Sequence, residues 1–391
     1  MNILVVSGYW PTSRNSISGI FVAQQIAALV RCGVRVTLLV PTASFREVGR
    51  PCSFEELGIA ESSANLVEVR TFRFPARMAP LPGVVATNAR ILGRAIRRAL
   101  EARSQSEKFD ACIVHGLREP ISSLPYWRHC VRGKVVLIVH GEDPFFEDRT
   151  NIMRAERYIS QAMSENDEFV VVGNRLVRYL KSFGVDSVRV SVIPNGTDLP
   201  AYCDVTDYQR PITDTRKIVS VSNLIEIKGI DDNLRALARI ALESPDIDWE
   251  YRIIGDGIYR SSLQELSHQL GLSERVRFLG RLSYQETMSE VEKCDVFSLP
   301  SWAEAFGIVY LEAMARMRPT IGCTGNGAAD IIEDYFDGFL VPPRSPEALS
   351  AILKKLLRDP VRCGEIGFKA RQKAENFSWD TNAVSVLEIL Q

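Results

Sequence analysis

The sequence predicts an α/β protein built from two Rossmann-like α/β/α domains. Three observations carry this reading. The chain has 391 residues, more than one hydrophobic core usually spans. Short runs rich in valine and isoleucine alternate with helical patterns from end to end, which is the pattern of parallel sheets covered on both faces. Between the two series lies a polar segment, 196–215 (GTDLPAYCDVTDYQRPITDT), with two prolines and no apolar period. The domains are therefore placed at 1–198 and 199–375, followed by a terminal helix at 376–391.

The elements follow in order. In the first domain, apolar runs predict strands at 2–7, 34–40, 66–72, 110–115, 134–140, 169–172 and 189–193. Helical periods predict helices at about 20–32, 85–103, 152–165 and 174–183. In the second domain, strands are expected at 217–222, 250–255, 275–279, 295–299, 319–323 and 339–341. Helices are expected at about 230–243, 259–271, 284–293, 307–317, 328–334 and 346–357. The end of the chain, FSWDTNAVSVLEILQ, has Ser378 or Asp380 placed to cap a last helix.

Composition excludes several functions. A net charge of −1 offers no basic field for nucleic acid. No stretch reaches the roughly 20 consecutive apolar residues of a membrane span. The start, MNILVVSGYWP, has no basic leader and reads as a first core strand, not a signal peptide. The eight cysteines are scattered with no C-x-x-C pair, which fits a reducing cytoplasm and argues against a disulfide framework or a zinc site.

The most informative stretch is 304–312, EAFGIVYLE, which follows the strand-like DVFSLPSW. Glu304 then lies in a loop and a helix begins near Phe306. The first amides of a helix have no internal partner and favour an anion such as a diphosphate. Glu304 beside them, and Glu312 about two turns on, can accept hydrogen bonds from hydroxyls. That combination suits a nucleotide sugar. For an isolated E-x7-E, two solvated glutamates are the simpler reading. A second phosphate-type layout is strand, loop, Lys228-Gly229, helix. A third turn, Gly255-Asp256-Gly257, fails as a dinucleotide fingerprint because Arg260 stands where the third glycine belongs.

These segments together resemble glycosyltransferase family 4, retaining enzymes of the GT-B fold, in which two Rossmann-like domains face a central cleft. EAFGIVYLEAMA is similar to the family's donor-site signature, and VSNLIEIKG to its G-R-L-x-x-x-K-G segment. IIGDG, RVRFLGRL, GNGAADII and DGFLVPP resemble further family segments around the nucleotide. The resemblance implies that Glu304, Phe306, Gly307, Ile308 and Glu312 bind the donor. It also implies Lys228 on the diphosphate, and Asn223, Gly255 and Arg281 around the nucleotide. Asn223 stands at the family's arginine position, Met317 replaces a glycine that commonly ends the helix, and Asn326 and Asp330 are variants.

In the first domain, VVLIVHGEDPFF puts His140 at a strand's carboxy end and matches the family's H-G-x-D pattern. The resemblance implies that His140 borders the donor sugar and gives a hydrogen bond rather than abstracting a proton. Glu142 or Asp143 is placed to reach an acceptor hydroxyl, or simply to cap a loop. His115 and His129 read as structural. Gly19 opens a helix whose amides would face the diphosphate. The resemblance also implies that the last helix crosses back onto the first domain.

No Asp-x-Asp falls near the donor segments. Asp246-Ile247-Asp248 has that spacing but lies in a loop entering a strand. Lys228 and helix termini then replace a metal, so no metal and no cofactor is expected. Glu304, Lys228 and His140 are the candidate catalytic residues. The expected partners are a UDP- or GDP-sugar and a glycan or lipid-linked glycan, with no nucleic acid. The alternatives are a non-catalytic nucleotide-sugar-binding protein and a GT-B epimerase. The helix at 84–103 carries Leu92, Ile96 and Ala99 on one stripe and Arg90, Arg94, Arg97 and Arg98 on the other. It fits peripheral docking on an anionic membrane at its cytoplasmic face. It equally fits an ordinary surface helix packed on its own sheet.

Overall fold

The computed structural model describes residues 1–15, 17–43, 49–59, 63–71, 84–102, 109–116, 122–142, 167–182, 184–201 and 215–391. It divides into two compact units, Met1–Asn195 with Trp379–Gln391, and Gly196–Ser378. The expected helix at 152–165, most of the expected linker and Asp143 lie outside the described residues.

In unit 1 seven parallel strands form one sheet: β1 (Asn2–Ser7), β2 (Arg35–Ala43), β3 (Ala64–Thr71), β4 (Ala111–His115), β5 (Lys134–Val139), β6 (Glu168–Val171) and β7 (Val190–Val192). Their order is β3-β2-β1-β4-β5-β6-β7. The chain reverses direction across the sheet between β1 and β4. Such a switch point opens a crevice at the carboxy ends of the strands, where open α/β sheets bind ligands. The central strands are buried throughout, Ile3 to Val6 and Ala111 to Val114 being solvent-free, as two covered faces require.

The helices of unit 1 are α1 (Ile20–Arg31), α2 (Val84–Glu101) and α3 (Asn174–Lys181). Leu92 and Ile96 of α2 are buried, and the helix packs on β3 and on the turn at 124–126. Its backbone comes so close that a Cβ on Gly93 would lie 2.5 Å from Tyr126 Cβ. The apolar stripe therefore belongs to the core of unit 1 and is not available to lipid. Arg90, Arg94 and Arg98 stay exposed, while Arg97 pairs with Glu101 at 3.6 Å.

Unit 2 holds β8 (Arg216–Val221), β9 (Trp249–Ile254), β10 (Val276–Gly280), β11 (Val296–Ser298), β12 (Thr320–Cys323) and β13 (Phe339–Val341). They form a parallel sheet in the order β10-β9-β8-β11-β12-β13, with its switch point between β8 and β11. The helices are α4 (Ile230–Glu243), α5 (Arg260–Gln269), α6 (Tyr284–Glu292), α7 (Ile308–Ala315), α8 (Pro346–Arg358) and α9 (Pro360–Ala374). The last helix, α10 (Trp379–Leu390), packs on α1 of unit 1. A buried amide contact, Gln25 Nε2 to Asn382 Oδ1 at 2.7 Å, holds it there with the Arg31–Asp380 pair. Asp380 is thus an ion-pair partner of Arg31.

Two elements differ from expectation. The helix expected at 328–334 is a short 3-10 turn, Gly327–Asp330. Helix α9 was hidden by Gly364 and Gly367, which weaken a helical pattern. Gly367 is there for approach: a Cβ on it would lie 2.0 Å from the carbonyl oxygen of Met317.

Met317 itself ends α7 in the left-handed conformation, φ 57°. Around it the arginines Arg316, Arg318 and Arg371 donate to the carbonyls of Glu312, Cys294 and Ala315 at 2.9–3.0 Å. Arg316 and Arg371 satisfy carbonyls at the end of α7 and suit the negative end of its dipole, while Arg318 ties the corner to the segment before β11. Left-handed backbone costs a side chain about 1–2 kcal/mol, yet Met317 is only 2% exposed and truncating a buried methionine costs about 2–5 kcal/mol. Packing wins. Met317→Gly, although it installs the residue common at such corners, should lower the melting temperature of the protein. A higher melting temperature would show that strain dominates.

Candidate active site

In unit 2 the two loops flanking the switch point meet. The loop after β8 carries Asn223 to Gly229, and the loop after β11 carries Leu299 to Gly307. Gly229 takes φ 65°, and a Cβ there would lie 2.2 Å from the carbonyl oxygen of Pro300. Only glycine lets the loops approach so closely. The backbone of Trp302 donates to Ile227 O at 2.8 Å, and its indole Nε1 donates to Asp232 Oδ2 at 2.8 Å. Arg344 stacks over the same indole at 4.3 Å. This stapling brings Lys228 Nζ within 2.7 Å of Glu304 Oε2. Both side chains are largely covered, 16% and 17% exposed.

Beneath the pair lies a buried polar node. Asn233, on the first turn of α4, donates to Tyr251 OH at 2.9 Å and to Ser298 O at 3.1 Å. It accepts from Ser298 Oγ at 2.7 Å. It thereby pins α4, and the Lys228 loop before it, to β9 and β11. A buried network so satisfied rigidifies what it joins.

Glu304 is fixed from its other side. Its carbonyl accepts from Gly327 N at 2.9 Å, and Asn326 Nδ2 donates to Ser301 O at 2.8 Å. A Cβ on Gly327 would lie 2.5 Å from Phe306 Cα, so Asn326 and Gly327 act as a brace on the Glu304 loop. Gly307 takes φ 89° at the start of α7, leaving Ile308 as its first residue, and Phe306 is buried. The helix-end amides expected from the sequence are therefore in place beside the Lys228–Glu304 pair.

Gly255, φ 126°, donates its N–H to Gly280 O at 2.8 Å, and a Cβ on it would lie 1.8 Å from Ser222 O. Asn223, Gly255 and Arg281 follow the carboxy ends of β8, β9 and β10 respectively, and Asn223 and Arg281 are exposed. Glu312 forms a separate cluster. It is buried on α7, and burial pushes its carboxyl up to about 7, against the pull of the Arg316 charge and the Tyr284 hydroxyl. Asp246 and Asp248 sit at the amino end of β9, opposite the end that carries Gly255. Asp246 pairs with Arg358 at 3.1 Å and Asp248 accepts from Thr215.

In unit 1, Gly19 caps α1 with φ 79°, and a Cβ on it would lie 2.4 Å from Trp10 N. His140 follows β5, and His115 ends β4, beside it. Their rings stack at 14° with His115 Nδ1 2.8 Å from His140 Nε2. His115, read from the sequence as structural, is the hydrogen-bond partner of His140. Phe21 and Tyr9 close around His140, with ring centroids at 4.5 and 6.1 Å. Burial holds the His140 imidazole down to about 3 and His115 also far below its usual range. Both rings are neutral near pH 7, which fits His140 as a hydrogen-bonding group and not as a base. Glu142 is engaged by Arg175 through bonds of 2.8 and 3.0 Å. Among the described residues, the grouped metal-type ligands are Glu101, His129 and Cys130 of unit 1, none of which belongs to the Lys228–Glu304 site.

The residues that sequence reasoning missed are Trp302, Asp232, Asn233, Asn326 and the role of His115. Asn233 had a signal: it interrupts the apolar stripe Ile230, Leu234, Leu237 with a polar residue. Asp232 shares that helix and His115 ends β4, while Trp302 and Asn326 stand in loops, where no period marks them.

Comparison with known proteins identifies the family and the fold. Residues 18–200 match the family described as Glycosyltransferase Family 4, and residues 207–375 match Glycosyl transferases group 1. A GDP-mannose-dependent alpha-(1-6)-phosphatidylinositol monomannoside mannosyltransferase of Mycolicibacterium smegmatis is 25% identical over 82% of this chain and 84% of its own. A GDP-mannose-dependent monoacylated alpha-(1-6)-phosphatidylinositol monomannoside mannosyltransferase of Corynebacterium glutamicum is 28% identical over 66% of this chain and 70% of its own. Among solved structures, Anabaena HepE in complex with UDP and glucose superposes with TM-score 0.71 at 20% identity, covering 100% and 99% of the two chains. Sucrose-phosphate synthase of Thermosynechococcus elongatus gives 0.76 at 19%, covering 100% and 98%.

Glu312 makes stability depend on pH. A carboxyl whose folded value is raised, from 4.5 to about 7, keeps its proton longer folded than unfolded. Its contribution is fully present below about 4.5, falls as pH rises toward 7, and levels off above that. Glu312→Gln should therefore melt higher than the wild type at pH 8, by an amount that vanishes near pH 4.5. An equal melting difference at both pH values would contradict the burial argument.

Proposed function

The chain belongs to glycosyltransferase family 4 and has the GT-B fold, and from that premise we propose that it moves a hexosyl-type sugar from a UDP- or GDP-sugar to an acceptor hydroxyl with retention of configuration. The observation that carries the reading is the Lys228–Glu304 contact at the switch point of unit 2. It sets a cation and a hydroxyl acceptor side by side at the start of α7. A diphosphate would take Lys228 and the α7 amides, and sugar hydroxyls would donate to the released Glu304. Glu312 would bind hydroxyls elsewhere on the donor.

The transfer requires the bond from the anomeric carbon to the diphosphate oxygen to break while a bond to the acceptor oxygen forms on the same face. The departing phosphate oxygen takes the acceptor's proton. Lys228 and the helix amides stabilise the charge developing on the leaving group, which is where pre-set donors contribute most. His140, neutral, gives a hydrogen bond to a reacting oxygen. Lys228 does the work of a cation, so no metal is needed.

The acceptor class we propose is a glycan or a lipid-linked glycan, in polysaccharide or glycolipid synthesis at the cytoplasmic face of the membrane. The relatives named above act on phosphatidylinositol mannosides, and the exposed Arg90, Arg94 and Arg98 would suit anionic headgroups. No helix among the described residues is long and apolar enough to cross a membrane.

Lys228→Ala and Glu304→Ala should each lower turnover of a UDP- or GDP-sugar by about 10²–10³ with the fold intact by circular dichroism. Near-wild-type turnover in either variant removes the assignment. Activity should persist in excess EDTA; loss that magnesium or manganese restores would show a metal-dependent donor site. Early-time proton NMR of the product should show the donor's own anomeric configuration, and an inverted anomer would refute retention.

A further inference from the structure

Unit 1 holds a cluster of metal-ligating side chains that the transfer reading does not use. Glu101 ends α2, and His129 and Cys130 belong to the 3-10 turn Arg128–Cys130 that leads into β5. One ligand atom of each, a carboxylate oxygen, an imidazole nitrogen and a thiol sulfur, lie within 4.8 Å of one another. Glu101 and His129 are exposed and Cys130 is half-buried, so all three are open to an ion from solvent. The turn precedes the amino end of β5, whereas His140 follows the carboxy end of the same strand. An ion bound there is therefore remote from the His140 ring.

The scaffold beneath the cluster is fixed. Arg128 donates to the carbonyls of Val131 at 2.8 Å and Gly133 at 3.1 Å, and it pairs with the fully buried Asp167 at 2.9 Å. Asp167 also accepts from Val135 N at 2.8 Å, which ties the turn to β5. Trp127, solvent-free, anchors the other end of the turn. Helix α2 packs on this turn, and Gly93 against Tyr126 sets how closely it lies. Ligands carried on elements so held are what a metal site requires. Thiolate and imidazole select a borderline-soft ion such as Zn²⁺ over Mg²⁺ or Ca²⁺. Three protein ligands leave one tetrahedral position for water. With bonds of about 2.0–2.3 Å, the ligand atoms around Zn²⁺ lie about 3.3–3.7 Å apart. Small rotations of the exposed Glu101 and His129 side chains close that gap. The opposing charge is Arg97, whose Nε stands 3.6 Å from Glu101 Oε1. That is too long for a hydrogen bond, and a carboxylate has a second oxygen to offer. We propose that Glu101, His129 and Cys130 form a surface Zn²⁺ site that clasps the end of α2 to the turn before β5. The sequence argued against zinc because no C-x-x-C is present; here the third ligand comes from a different element, which no local spacing reveals.

The test uses the full chain, stripped of metal by a chelator that is then removed. Titration with Co²⁺ reports a thiolate ligand through its near-ultraviolet charge-transfer band. Titration with Zn²⁺ is followed by calorimetry and by melting temperature. The expected result is one Co²⁺ per chain with a thiolate band, displacement of that Co²⁺ by Zn²⁺, and a higher melting temperature with Zn²⁺. Cys130→Ser should abolish the band. His129→Gln and Glu101→Gln should each weaken Zn²⁺ binding by at least about 10–100-fold, a loss found even for groups that only orient metal ligands. Cys32 is exposed just after α1, and Cys32→Ser should keep the band. Circular dichroism checks that each variant is folded. No thiolate band in the wild type overturns the proposal. So does a band that persists in Cys130→Ser or vanishes in Cys32→Ser, or an unchanged Zn²⁺ affinity in either His129→Gln or Glu101→Gln. None of these readouts depends on sugar transfer, so failure of the donor-site reading leaves them intact.

Discussion

The ion pair between Lys228 and Glu304 is the contact on which the unit 2 site turns. Two loops that leave the sheet on either side of its switch point must be held together to form it. Gly229 against Pro300, the Trp302 bonds to Ile227 and Asp232, and Gly327 against the Glu304 carbonyl do that holding. Asn233 anchors the layer below. A covered ion pair adds little net stability, because desolvating both charges offsets most of their attraction. Its value is in what replaces it. On the proposed reading, a diphosphate would offer Lys228 more negative charge than one carboxylate does, and the released Glu304 would meet hydroxyls in return. The pair keeps both groups largely covered and oriented, as a site proposed for an anion with neighbouring hydroxyls requires.

Unit 1 solves a different problem with the same architecture. At its switch point the side chains are aromatic and neutral, not charged. His115 and His140 share one proton, enclosed by Tyr9 and Phe21, and burial keeps both uncharged. In the proposed reaction such a neutral ring would steer without adding a full charge. Glu312 adds a constraint of its own, a carboxyl whose burial makes the folded state dearer at alkaline pH than a glutamine would.

Much of this was legible in the sequence because parallel strands buried on both faces are written as continuous apolar runs. All thirteen observed strands fall where such runs predict them, with ends differing by up to three residues. The site was partly legible, since Lys228, Gly307 and Glu304 stand at fixed offsets from strand ends. What escaped was long-range. Nothing local in the sequence announces that His115 would meet a residue 25 positions on, or that Asn233 would bond to Ser298. Helix α9 escaped because Gly364 and Gly367 obey packing against the Met317 corner and not helix propensity. The arginine-rich face of α2 was read correctly as amphipathic, but periodicity cannot say whether an apolar stripe meets lipid or the protein's own core; here it meets the core.

The most direct test of the central claim is a crystal structure with a nucleoside diphosphate sugar bound. The account predicts that the Lys228 ammonium has left Glu304 for a phosphate oxygen, at ordinary hydrogen-bond distance, with a sugar hydroxyl on the Glu304 carboxylate. A donor bound elsewhere, with the 2.7 Å pair unbroken, would contradict it.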